Sequence, residues 1–225
     1  MSQITKTWLN LFIAELRGKS NATVNRYVSL IRASLRWGVR QGYLKENPLR
    51  DFSRLRETRP FRSPEITQED LKKLFSIPDQ KFKLFLQILY WTLARKREIL
   101  SLTWEDIDLK RRTITFRQTK RGVPKVVPVC DSLHSVLEKA SPKEGRLFSW
   151  KSDYVTRKFQ RLRDRLSLSI RGIHEFRHAR ASELLRKGAN PRGVQELLGH
   201  KSSKTTMEIY ARISLDGLRE TVSKL

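Results

Sequence analysis

The chain is poor in the residues that would tie it to disulfide, metal or membrane chemistry. A single cysteine, Cys130, stands among 225 residues, so no internal disulfide can form and no cysteine-based metal site is expected. Cys130 itself reads as a small buried residue at the end of a strand. No run of about 18 apolar residues occurs, and the N-terminal MSQITKTWLN has neither the basic start nor the apolar core of a signal peptide. A cytoplasmic location without membrane attachment follows as the expectation. Internal repeats and low-complexity segments are absent too. Acidic residues are scarce against basic ones, 23 to 47, which leaves a formal net charge of +24 and a pI near 10.8. That imbalance points to a polyanionic partner, and double-stranded DNA is the default. The hydrophobic content of 38% is enough for one sizeable core, or one core with a small second domain.

Apolar periodicity then divides the chain. Trp8, Leu9, Phe12, Ile13 and Leu16 fall at helical spacing and Gly18 ends them. A second amphipathic helix begins at a Ser20 or Asn21 cap, carries Val24, Tyr27, Val28, Ile31, Leu35 and Val39, and is ended by Gly42 and Asn47-Pro48. Its other face displays Arg26, Arg32, Arg36 and Arg40, which suit either a solvated helix face or one that tracks phosphates. From Leu49 to Pro64 the pattern dissolves into a stretch holding Arg54, Arg56 and Arg59, read as a basic linker along DNA.

Residues Thr67 to Asp70 form a capping-box signature ahead of Leu71, Leu74 and Phe75. Phe82 to Trp91 is apolar nearly all round, as expected of a buried central helix. Two short strands, Thr113–Arg117 and Lys125–Val129, flank the turn Thr119–Gly122 and predict a hairpin. Helices are expected from about Asp131, from about Ser152, where Lys158 and Arg161 belong to a basic face, and over about Glu175–Lys187. The fold class is mainly α with a small antiparallel β-sheet, an α+β arrangement. The domains are expected at 1–48 for a helical DNA clamp, 49–64 for the linker and 65–225 for a catalytic domain with a tail.

Chemistry concentrates near the C-terminus. His174 and Arg177 are one turn apart, hence on one helix face, and His200 and Tyr210 follow. An arginine and a histidine converging on a phosphate, with a phenol to attack it, can cleave a phosphodiester without a metal or cofactor, because the guanidinium fork neutralises the pentavalent transition state. Arg95 follows the buried helix and could supply a second guanidinium. Tyr210 needs a base or a cationic pocket to become nucleophilic, and Lys120 at the hairpin tip could protonate the leaving oxygen. Each residue alone also fits a plain surface role; the order of all of them does not.

Thr92-Leu-Ala-Arg95-Lys-Arg-Glu98, Thr119-Lys120, His174-Glu-Phe-Arg177-His178, Leu198-Gly-His200 and Tyr210 occur in that sequence, and in this the chain resembles the tyrosine recombinase, or phage integrase, family over roughly Ile66 to Tyr210. The resemblance implies that Arg95 and Arg177 clamp the scissile phosphate, that His174 and His200 hydrogen-bond to it, that Lys120 is the general acid and that Tyr210 forms a 3′-phosphotyrosyl link. It gives Glu98 and His178 supporting roles. It further implies a site-specific recombinase that self-associates on DNA, as a tetramer at synapsis. Alternatives are a type IB-like topoisomerase and a catalytically silent DNA-binding regulator. The chain departs from the family's pattern in two places. Leu93 stands where the family has a glycine, and the region before Pro48 matches only the second half of the family's DNA clamp, through Ser20 to Tyr27 and Asn47-Pro48. A minimal recombinase is therefore expected. The tail from Ser214 can cap a helix striped by Leu215, Leu218 and Val222, expected to dock on a neighbouring protomer.

Overall fold

The computed structural model describes residues 4–57, 65–119, 122–140 and 144–199. Lys120, His200, Tyr210, Arg59 and the C-terminal tail lie outside the described residues. The chain divides into two compact units, Met1–Phe61 and Arg62–Leu225.

The first unit is built on two helices, α1 (Lys6–Glu15) and α2 (Asn21–Arg40). Thr5 caps α1 by accepting from the Trp8 amide, and Ser20 caps α2 by accepting from the Thr23 amide. Their facing apolar stripes bury Leu9, Val24, Val28 and Leu35. The stretch after Pro48 joins this packing. Leu49 is fully buried, and α2 reads the following backbone with its polar side chains. Arg32 donates to the carbonyls of Arg50 (2.7 Å) and Phe52 (3.2 Å). Asn25 accepts from the Leu55 amide and donates to the Leu55 carbonyl, both at 2.9 Å, much as a neighbouring strand would. Residues 49–57 are thus laid against α2, and Arg32, expected on DNA, has part of its guanidinium committed to holding them there. Arg26, Arg36, Arg54 and Arg56 remain exposed.

The second unit gathers around α4 (Gln80–Thr92). Phe82, Phe85, Leu86, Ile88 and Leu89 of this helix are fully buried, and Phe116, Phe148, Phe159 and Phe176 belong to the same apolar core. Before it, α3 (Gln68–Phe75) opens with the expected capping box: the Asp70 amide donates to Thr67 Oγ1 at 3.0 Å and the Thr67 amide to Asp70 Oδ2 at 3.3 Å. After it come a short helix α5 (Lys96–Leu100), a single 3-10 turn (Trp104–Asp106) and the strands β1 (Ile107–Asp108), β2 (Thr113–Phe116) and β3 (Lys125–Pro128). The strands form one antiparallel sheet in the order β1-β2-β3, with Phe116 opposite Lys125. The remaining helices are α6 (Asp131–Lys139), α7 (Ser152–Leu166), α8 (Ile173–Arg186) and α9 (Pro191–Leu198). The fold is mainly helical with a small antiparallel sheet; β1, α5 and α9 had no expectation attached to them.

Two local features hold α8 in place. Arg180 stacks over the Tyr90 ring at 4.2 Å and pairs with Glu183 at 2.9 Å, while Tyr90 donates to the same carboxylate at 3.3 Å. Burial pushes the Tyr90 phenol up to about 12, so it stays a donor. A satellite apolar cluster of Leu93, Ala181, Leu185, Val194 and Leu198 joins the end of α4 to α8 and α9. Cys130 is exposed and sits at the N-cap of α6, contrary to the buried position expected. The strand ends at Pro128, and the chain has already turned outward by residue 130. Among the described residues no helix is long and apolar enough to cross a membrane.

Removing the Asn25 side chain leaves both backbone groups of Leu55 without a hydrogen-bond partner among the described residues. Asn25→Ala should lower protection of the Leu55 amide in hydrogen exchange by about tenfold or more, the equivalent of ~1.4 kcal/mol. Unchanged protection would mean that the stretch is held by its apolar contacts alone.

Candidate active site

The turn between α4 and α5 creates the first arginine. Leu93 ends α4 in the left-handed conformation (φ 51°, ψ 26°), the geometry that a glycine adopts freely and a leucine adopts at a cost of about 1–2 kcal/mol. The sequence departure at Leu93 therefore keeps a glycine's backbone. The cost is offset by the side chain, which is fully buried in the satellite cluster. The chain then reverses, and Arg95 becomes the N-cap of α5. Its amide donates to Glu98 Oε2 and its guanidinium to Glu98 Oε1, each at 2.8 Å.

Glu98 is almost wholly buried, with 2% of its side chain exposed. Burial alone would raise its pKa, but the two Arg95 hydrogen bonds and the nearby charge of Lys125 outweigh it and hold the carboxyl below its usual range. Glu98 is an anion that orients Arg95.

α8 supplies the second arginine. Ile173, Phe176 and Ala179 bury one side of the helix in the core, and His174 and Arg177, one turn apart, line a cavity of about 320 Å³ with Leu89, Lys96, Thr156, Gly172 and Ile173. Arg177 is 2% exposed. It donates from one terminal nitrogen to the Leu198 carbonyl at 2.5 Å, while its Nε and its other terminal nitrogen are buried without a hydrogen-bond partner among the described residues. Burial, reinforced by repulsion from Arg95, pulls its pKa down to about 10, so the guanidinium remains charged at neutral pH. Two unmatched donors on a buried cation are costly unless an acceptor arrives.

His174 stands at the cavity's exposed edge, its ring edge-to-face with that of His178 at 4.7 Å. Its buried side, and then the charges of Arg177, Arg95 and Lys96, hold its pKa below the ordinary imidazole value. It is thus neutral at pH 7 in the free protein, and can donate or accept through a single proton.

The structure brings Arg95, Glu98, His174 and Arg177 together with His178 behind them. Sequence reasoning missed two members of the same constellation. Lys96 lines the cavity, donating to the Ser152 carbonyl at 3.1 Å and to the Thr156 hydroxyl, and burial lowers its pKa. Lys125, on β3, points inward with 15% of its side chain exposed and its ammonium 3.7 Å from Glu98 Oε2. The signal for Lys125 was strand parity: it shares a face with Val127 and Val129, both buried. Of the DNA-contact candidates on α7, Lys158 is paired with Asp79 and lies over the rings of Phe82, Trp150 and Tyr154. Arg161 stays exposed at a separate hollow of about 580 Å³. That hollow is larger than the one beside Arg177 and is lined by Arg157, Lys158, Arg161 and Arg165, but none of Arg95, His174 and Arg177 reaches it.

The end of α9 closes the site. Three successive carbonyls, of Leu197, Leu198 and Gly199, accept from Lys125 (2.9 Å), Arg177 (2.5 Å) and Arg95 (3.0 Å) respectively. These are orphan acceptors at a helix C-terminus, where the helix dipole is negative. Glycine is favoured at 199 on two counts. Its φ is +57°, and a Cβ on it would meet an Arg95 terminal nitrogen at 3.2 Å.

Comparison with known proteins gives a consistent picture. Residues 64–215 match the model of the phage integrase family. The chain is 35% identical over 173 residues to tyrosine recombinase XerA of Saccharolobus solfataricus, an alignment covering 72% of this chain and 59% of that protein. It is 32% identical over 242 residues to tyrosine recombinase XerC of Thermodesulfovibrio yellowstonii, covering 95% of this chain and 79% of that one. Among solved structures, the XerH site-specific recombinase bound to a palindromic difH substrate after cleavage superposes with a TM-score of 0.78 at 23% identity, over 99% of this chain and 73% of that one.

Leu93→Gly separates the two opposing effects at the α4–α5 turn. Relief of the left-handed strain is worth ~1–2 kcal/mol, while deleting a fully buried leucine costs ~2–5 kcal/mol. The variant should therefore be less stable, by up to about 4 kcal/mol in chemical denaturation. A gain in stability would show that backbone strain dominates at this position.

Proposed function

The chain belongs to the phage integrase family, tyrosine recombinases that break and rejoin DNA, and on that premise we propose that the cavity between α7 and α8 receives the scissile phosphate of a recombination site. The observation that carries this reading is Arg177, a buried guanidinium with two donors unmatched among the described residues, beside His174 and Lys96. A phosphate oxygen is the acceptor such a fork fits best. Arg95, held by Glu98, supplies the second fork, and His174 and His200 hydrogen-bond to the remaining oxygens.

Tyr210 attacks phosphorus. Its oxygen gains the P–O bond, its proton leaves to a base, and the bond to the 5′-oxygen breaks with that oxygen taking a proton from Lys120. The product is a 3′-phosphotyrosyl link and a free 5′-hydroxyl. Rejoining is the reverse with a 5′-hydroxyl from the partner duplex, so each P–O bond broken is replaced by another and no external energy source enters. The arginines act on charge: the pentavalent transition state gains negative charge, and donors already fixed around it need not reorganise.

DNA recognition is assigned to both units. Arg26, Arg36, Arg54, Arg56 and Arg59 of the N-terminal region, read as a clamp over 1–48 with a basic stretch over 49–64, and Arg161 of the catalytic domain over 65–225, contact phosphates. A palindromic site calls for protomers related by a two-fold axis, and exchange between two duplexes calls for four. The assembly proposed at synapsis is a tetramer.

A nicked suicide substrate, which traps the covalent complex, tests the reading. Tyr210→Phe should bind DNA normally and form no covalent product. Arg177→Lys and Arg95→Lys should each slow single-turnover cleavage about 100-fold or more, on the order of 3 kcal/mol, with binding little changed. Covalent product from the phenylalanine variant, or near-normal cleavage by either lysine variant, would count against it.

The role of Lys120 has its own test. A bridging 5′-sulfur leaves without a proton, so this substrate should restore most of the cleavage lost in Lys120→Ala. Absence of rescue would remove Lys120 from the leaving group.

A further inference from the structure

Lys125 is placed where a strand lysine is seldom found. Its inward parity on β3 carries the ammonium past the Phe116 ring, 4.9 Å from the centroid, to the Leu197 carbonyl at 2.9 Å and Glu98 Oε2 at 3.7 Å. One side chain thereby joins three elements: the hairpin strand five residues after Lys120, the α5 carboxylate that orients Arg95, and the last turn of α9, two residues after which the chain reaches His200. Without Lys125, Glu98 would keep Arg95 as its partner but lose the cation on its other oxygen. The Leu197 carbonyl would lose its donor at a half-buried helix end.

Resting on the recombinase reading above, we propose that Lys125 is a positioning residue for strand cleavage, fixing the Glu98–Arg95 pair and the end of α9 to the hairpin that carries the general acid. Its effect runs through Arg95 and through the chain leading to His200. A displacement of about 1 Å at either is enough to slow a preorganised reaction by as much as ~100-fold.

The same geometry makes this tie sensitive to pH. Burial first, and then repulsion from Arg177 on α8 and Arg95 before α5, pull the ammonium down to about 8 against the opposing pull of Glu98. From β2 it is faced only by the uncharged Phe116 ring and from α9 by a carbonyl. Below about pH 8 the lysine is charged and the tie is intact. As pH rises through that value Lys125 becomes a neutral amine, which can still donate to Leu197 but no longer balances Glu98. An arginine at this position would stay charged throughout.

The experiment compares wild type, Lys125→Met and Lys125→Arg on the suicide substrate from pH 6.5 to 9.5. The second-order rate constant for covalent-complex formation is measured at subsaturating protein, where the profile reports the free protein, alongside half-site affinity and thermal stability. Lys125→Met should cleave about 10–100-fold more slowly at pH 7 with half-site affinity within about threefold. Lys125→Arg should recover most of the rate and lack the part of the wild-type alkaline decline centred near pH 8. The contributions of Tyr210 and Lys120 are common to both proteins and cancel in the comparison.

Cleavage by Lys125→Met within about threefold of wild type would overturn the proposal, as would an alkaline limb in Lys125→Arg that coincides with that of wild type. If the methionine variant does not fold, the arginine profile decides alone. Failure of the wild type itself to form covalent complex would instead overturn the recombinase reading. Wild-type cleavage with indistinguishable Lys125 variants would overturn only the role of Lys125.

Discussion

A site that binds a phosphodiester must hold several cations close together before the phosphate is there, and the repulsion among them has to be balanced from within the protein. Here the balance rests on one buried carboxylate. Glu98 receives the Arg95 backbone and guanidinium and faces Lys125, while the negative end of α9 takes one donor from each of Lys125, Arg177 and Arg95. Neither partner satisfies the cations completely. Arg177 retains two unmatched buried donors among the described residues, and an acceptor entering the cavity would meet that residual demand. A fully satisfied cluster would be more stable and chemically idle.

Much of this was readable in the chain itself. Helical spacing and caps located α1, α2 and α3, with Ser20 and Thr67 as the caps. Alternation located β2 and β3, and the i,i+3 spacing set His174 and Arg177 on one face. What escaped was short or depended on tertiary contacts. The five residues of α5 are too few for a period to show, and β1 has only two. Lys96 looked like one more cation in a basic run, because nothing local reveals that Thr156 and the Ser152 carbonyl lie beside its amine. Lys125 was legible in principle through its shared parity with Val127 and Val129, but a lysine on an apolar strand face is ordinarily discounted.

Positive charge was the least reliable guide. Composition and helix faces marked Arg32 and Lys158 among the candidate DNA contacts, yet Arg32 holds the backbone after Pro48 and Lys158 is engaged by Asp79 and three aromatic rings. Net charge speaks to the partner of a chain, whereas the duty of any one side chain is set by what folds against it. Asn25 makes the same point among neutral residues: a polar side chain in an amphipathic helix, nearly buried, serves as a strand edge for the segment that follows.

The left-handed leucine at the end of α4 has a consequence for how the protein opens. Leu93 both terminates α4 and fills the small apolar cluster shared by α8 and α9, apart from the main core. Lifting α9 away would uncover Leu93, leave its strained backbone without the burial that offsets it, and strip a carbonyl from three cations in the same step. Partial detachment therefore gains little, and the end of α9, the α4–α5 turn and the arginine cluster should exchange and refold as a single cooperative segment, with a free energy of its own below that of global unfolding.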